Sequence, residues 1–112
     1  MEVTSVAKNT GISASKMRLL VDLVRGRSVN EALTILKFSP SPNARIVAKV
    51  VKTAAADAES LHNATADTLK IVEIRADEAV TLRRFQARAR GRANHILKRS
   101  SHITVTVGNQ EA

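Results

Sequence analysis

Apolar positions recur at helical spacing three times along the first 62 residues. Met17, Leu20, Val21 and Val24 stand at i, i+3, i+4 and i+7, one stripe of a helix. Ser13 or Ser15 can cap its start, and Gly26 stands just after Arg25, where a C′ glycine belongs. Val29, Ala32, Leu33 and Leu36 form the second stripe. It opens on Ser28-Val29-Asn30-Glu31, the spacing of a capping box, in which the Ser28 hydroxyl takes a free N–H and Glu31 reaches back. Ser39-Pro40-Ser41-Pro42 then breaks the chain, with Ser41 as N-cap and Pro42 as first residue of a third helix. Val47, Val50, Val51, Ala54, Ala58 and Leu61 mark its buried face. Its small residues, 54–56 and 58, allow close approach of another element, and Asn63 ends it.

Elsewhere the period is two. Residues 3–8 are short and β-branched. Residues 69–76 are β-rich, but their alternation slips at Ile71-Val72, which predicts a bulge. Ile103, Val105 and Val107 alternate with His102, Thr104 and Thr106, a half-buried strand with His102 on its open face. The predicted class is α+β: three helices packed on a small three-stranded antiparallel sheet, with strands near 3–9, 68–77 and 101–107 and a long protruding β-hairpin. The link over 78–100 is far longer than an ordinary hairpin loop. Two arms of about ten residues, turning near Arg90-Gly91-Arg92, would reach on the order of 30 Å. A two-stranded ribbon is marginal alone in water, so this finger is expected to gain order on binding. Residues 1–112 make one domain, with 78–100 as an extended basic β-hairpin within it.

Composition sharpens this picture. The chain has no Cys, Trp or Tyr and only two aromatics, Phe38 and Phe85. Its core must therefore be Ala, Val, Leu and Ile, and disulfides, thiolate metal sites and thiol nucleophiles are excluded. Its start lacks the basic-then-apolar pattern of a signal peptide, and no apolar run is long enough to span a membrane. The net charge is +8. Seven cations, Arg83, Arg84, Arg88, Arg90, Arg92, Lys98 and Arg99, fall in one 17-residue window without a single acid, and the remainder carries 11 cations against 10 acids. Charge gathered on a near-neutral body points to a dedicated polyanion contact. All but Lys98 are arginines, whose planar forks suit phosphate oxygens. Ala87, Ala89, Gly91 and Ala93 between them let the backbone approach a crowded surface. Nothing in the window reads bases, so shape and phosphates are the expected targets. Seven phosphate contacts on a flexible strand give a log–log salt slope of about −5.

Phe85 is expected to pack at the finger's root rather than stack on a base. Arg45, Lys49 and Lys52, at i, i+4 and i+7, are either a solvated helix face or a secondary polyanion contact. Catalysis has no footing. His62, His95 and His102 lack metal-ligand spacing, Asp77-Glu78 reads as a solvated strand end, and there is no phosphate-binding glycine loop. No cofactor and no metal site are expected.

Arg88-Ala89-Arg90-Gly91-Arg92-Ala93, followed by Ile96-Leu97-Lys98-Arg99-Ser100-Ser101-His102-Ile103-Thr104-Val105, resembles the signature of the bacterial-type large-subunit ribosomal protein twenty-two family. Ser15-Lys16-Met17-Arg18-Leu19-Leu20 with Asp22-Leu23-Val24-Arg25-Gly26 is similar to that family's first helix, and Ala54-Ala55-Ala56-Asp57-Ala58-Glu59 to its long one. The likeness runs over roughly 4–107. It implies a cytoplasmic ribosomal location, an α+β body on the outer face of the large subunit, binding to 23S ribosomal RNA and help in early assembly. It also implies a hairpin that lines the nascent-peptide exit tunnel, so the implied partners are the RNA, neighbouring large-subunit proteins and the nascent peptide, with no membrane. Carried onto this chain, the RNA-binding residues are Lys16, Arg18, Arg25, Arg83, Arg84, Arg88, Arg90, Arg92, Lys98 and Arg99. The tunnel-lining tip is Arg88-Ala89-Arg90-Gly91-Arg92-Ala93. The chain departs from the family at Ala87, where Pro is frequent, at Leu82-Arg83-Arg84, where Met-Lys-Arg-like residues stand, and at His95, where Arg is common. The alternative is a free nucleic-acid-binding protein or RNA chaperone, which would bind DNA and RNA duplexes alike. A protein-interaction domain whose basic finger docks on an acidic partner is the third possibility.

Overall fold

A computed structural model describes residues 2–87 and 93–109, and of Ala66, 82–87 and 93–97 only the backbone. The tip Arg88–Arg92 therefore lies outside the described residues. Three helices cover one face of a three-stranded antiparallel sheet, as the periodicities predict. The helices are α1 (Ala14–Val24), α2 (Val29–Lys37) and α3 (Ala44–His62). The strands are β1 (Glu2–Ala7), β2 (Leu69–Glu78) and β5 (Ser101–Asn109), in the order β1-β5-β2, so the C-terminal strand is central. A separate antiparallel pair, β3 (Leu82–Ala87) and β4 (Ala93–Lys98), forms the predicted hairpin.

The core is aliphatic and small. Met17, Val21 and Val24 of α1, Val29 and Ala32 of α2, and Val47, Val51, Ala54 and Ala58 of α3 meet Leu69, Ile71, Ile103, Val105 and Val107 of the sheet, all fully buried. The alanines of α3 bring its backbone close to β1 and β5. Leu61, predicted on the buried face, is instead 70% exposed. It lies in the last turn of α3, just before Asn63 takes a left-handed conformation (φ +53°), beyond the reach of the sheet.

Two helix starts differ in detail from expectation. The Ser28 hydroxyl accepts from the Glu31 N–H (3.3 Å), but the Glu31 carboxylate takes Arg27 (2.7 Å) rather than closing the capping box. At α3, Asn43 rather than Ser41 holds the N-cap position. Ser41 still accepts, by its hydroxyl from the Asn43 N–H (3.3 Å) and by its carbonyl from the Ala44 N–H (3.2 Å), so Pro42 sits in a tight turn that leads into the helix. The end of α1 follows expectation: Arg25 is extended and Gly26 has φ +79°, as the third position of a type II turn requires.

The predicted slip in β2 is a bulge. Ile71 pairs with Val107 and Glu73 with Thr106, leaving Val72 unpaired and half exposed. The extra residue puts Leu69, Ile71 and Ile74 on one buried face despite the three-residue step between the last two. On the opposite face Arg75 bridges Glu73 (2.8 Å) and Asp77 (3.0 Å) along the strand. Those two hydrogen bonds, to Asp77 first and Glu73 second, raise the guanidinium pKa above its ordinary value. Thr4 and Thr106 share a hydroxyl hydrogen bond (3.0 Å) across β1 and β5 on that face. The interior of β5 is better covered than a half-buried strand: Thr104 and Thr106 are buried too.

Candidate nucleic-acid interface

The hairpin grows directly out of the sheet. β2 and β5 pair as far as Glu78 opposite Ser101, and β3 and β4 resume with Leu82 opposite Lys98. Three residues on the outgoing side (79–81) meet two on the return (99–100), so the ribbon steps by one residue at its root. The Ala79 N–H to Ser100 carbonyl bond (3.1 Å) ties that step. Register then runs without a break to Ala87 opposite Ala93, with Arg83 paired to Leu97, Arg84 to Ile96 and Phe85 to His95. The expected turn near Arg90-Gly91-Arg92 lies outside the described residues, and the described parts of the arms are six residues long each. At about 3.3 Å per residue they span roughly 20 Å before the tip. The role of the Phe85 side chain lies outside what is described.

At the hairpin's root, residues distant in sequence converge. Lys16 on α1 and Lys98 and Arg99 at the end of the returning arm line one recess of about 520 Å³, beside Ser13 and Asn43. All three cations are exposed, and among the described residues none is in an ion pair. The β1–α1 loop that shapes this recess is pinned to β5. The Asn9 N–H donates to His102 Nδ1 (3.0 Å), the Thr10 N–H to the Ser101 carbonyl (3.0 Å) and the Gly11 N–H to the Ser100 hydroxyl (3.0 Å). His102, expected on the open face of its strand, thus also holds the left-handed Asn9 (φ +54°) in place.

Arg18 and Arg25 lie elsewhere. One helical face of α1 aims both at the free edge of β2, where Arg18 Nε donates to the Ala76 carbonyl and Arg25 to the Ile74 carbonyl (3.2 Å each). Arg25 also pairs with Asp22. Farther along the same edge the Ile71 N–H donates to the Arg27 carbonyl (2.9 Å). An edge strand with unpaired carbonyls invites pairing with another chain, and these groups cover it. Sequence spacing has no means of seeing this, because the acceptors are main-chain atoms 49 and 58 residues away.

A second cationic surface is only half visible in the sequence. Arg45, Lys49 and Lys52 line an open groove between α2 and α3, joined by Lys37 from α2. Lys37 escapes a reading by helical spacing because it belongs to another helix; only the α2–α3 packing brings it to that rim. Among the described residues there is no group of three His, Asp or Glu fit to hold a metal ion, and no helix is long and apolar enough to cross a membrane.

The profile of the family described as ribosomal protein L22p/L17e matches residues 5–108. The chain belongs to that family. Two relatives, both named large ribosomal subunit protein uL22, come from Dehalococcoides mccartyi. The one from strain CBDB1 is 55% identical and one from another strain 54% identical, each over 109 residues that make up 97% of this chain and 100% of the relative. The likeness expected from the arginine-rich signature is thus borne out over nearly the full length, and the family's fold agrees with the three helices and antiparallel sheet. Membership makes this a protein of the large ribosomal subunit, with a structural rather than an enzymic role.

Proposed function

We propose that the chain binds 23S ribosomal RNA, contributes to early assembly of the large subunit, and extends its β3–β4 hairpin along the nascent-peptide exit tunnel. One observation carries this: an acid-free, arginine-rich ribbon, paired in regular register over its described arms, extends from the sheet of a body whose remaining charge nearly cancels. Arginine forks neutralise phosphates bidentately, and the small residues at the tip admit close packing against RNA. Without base-reading chemistry, the contact recognises shape and phosphate.

In this proposal Arg83, Arg84, Arg88, Arg90 and Arg92 meet RNA along the finger. Lys16, Lys98 and Arg99 grip it at the root. Arg18 and Arg25 contribute only the guanidinium N–H groups that the β2 edge leaves over. The tip, Arg88 to Ala93, faces the nascent peptide, and neighbouring large-subunit proteins flank the body.

Because the chain has no cysteine, Arg90→Cys offers a unique attachment point for a photo-crosslinker. In translating ribosomes that contain this variant, labelling of 23S RNA and of the nascent chain is expected. Labels found only on a soluble protein outside the ribosome would overturn the proposal.

A further inference from the structure

The groove between α2 and α3 has no task in the function proposed above. It is open, encloses about 960 Å³, and its rim carries Lys37 on one helix and Arg45, Lys49 and Lys52 on the other, with no acid among the lining residues. All four cations are exposed, and among the described residues none is in an ion pair. Three arginines elsewhere are matched: Arg25 to Asp22, Arg27 to Glu31, and Arg75 to Glu73 and Asp77. Cations gathered on two rims without a counter-charge complement an anion that comes from outside the chain.

The floor narrows the choice of anion. Apart from the cations and the hydroxyls of Thr34, Ser39 and Ser41, its lining is apolar, with Leu33, Pro42 and Ala48 among the residues exposed to the groove. Phe38, which follows Lys37 in the chain, is 77% exposed with the Lys37 ammonium 5.9 Å from its ring centroid. An RNA duplex offers phosphates but hides its base faces, so this floor would gain nothing from it. An unpaired strand offers both phosphates for the rim and flat base faces for the floor and for Phe38.

We propose that the α2–α3 groove is a second RNA site, distinct from the hairpin, which takes an unpaired segment of the large-subunit RNA. This rests on the proposal that the chain binds that RNA at all.

The test uses the full chain with Arg45→Gln, Lys49→Gln and Lys52→Gln combined, all at exposed positions of α3, and protein-free large-subunit RNA as the probe. The salt dependence of binding is expected to flatten by about two in log–log slope, from three lost contacts of roughly 0.7 each. A crosslinker on Ala48→Cys in assembled subunits is expected to label unpaired nucleotides. An unchanged slope overturns the proposal, as do labels confined to base-paired stems or to a neighbouring protein. A companion variant with Arg83, Arg84, Arg88, Arg90 and Arg92 changed to Gln separates the two proposals. If it alone flattens the slope, the groove site falls and the hairpin function stands. If the unmodified chain shows no salt-dependent binding, both fall.

Discussion

Single residues set the angles at which the elements join. Gly26 is the clearest case: a Cβ built there meets nothing within 4 Å, so the only penalty for a side chain is the left-handed backbone at φ +79°. Gly26→Ala is therefore expected to lower stability by about 1–2 kcal/mol, read as a shift in urea midpoint with unchanged m-value. Ser28→Ala removes the N–H acceptor of α2 and is expected to cost about 1 kcal/mol in the same assay. Both positions are legible in the sequence because turn and cap chemistry is local. The roles of Arg18, Arg25 and His102 are not, since each depends on a main-chain atom brought near only by folding. Leu61 misleads for a related reason: helical periodicity says which face a residue joins, but not where the partner sheet ends.

At the level of elements, the bulge in β2 reconciles an odd spacing with a one-sided core. Deleting Val72 would restore plain alternation through Leu69, Ile71 and the present Ile74, with β5 pairing intact. That deletion is expected to fold, with a cooperative thermal transition and a native-like circular dichroism spectrum. Deleting Arg75, between the buried Ile74 and Ala76, would turn the rest of the strand over and is expected to abolish the cooperative transition. The period-two and period-3.6 stripes make the three helices and the three sheet strands readable in the amino-acid sequence. Strand order is not readable there, because nothing local tells β5 that it lies between β1 and β2. The hairpin arms are announced by charge and length rather than by apolar alternation.

For the whole molecule, shape and charge tell one story. The radius of gyration is 17.1 Å, with a longest dimension of 65 Å. A compact chain of this length would have a radius near 13 Å. The excess is a finger drawn out from a near-neutral body, and the finger holds the charge. Such a ribbon gains nothing for its own stability from mutually repelling arginines, which is why the proposed function gives them phosphates to neutralise. The most direct test is the salt dependence of full-chain binding to protein-free 23S RNA, with and without the five hairpin arginines Arg83, Arg84, Arg88, Arg90 and Arg92 changed to Gln. The variant is expected to lose about 3–4 from the magnitude of the log–log slope, while its thermal unfolding stays unchanged. Equal slopes for the two proteins, at equal affinity, would contradict the account.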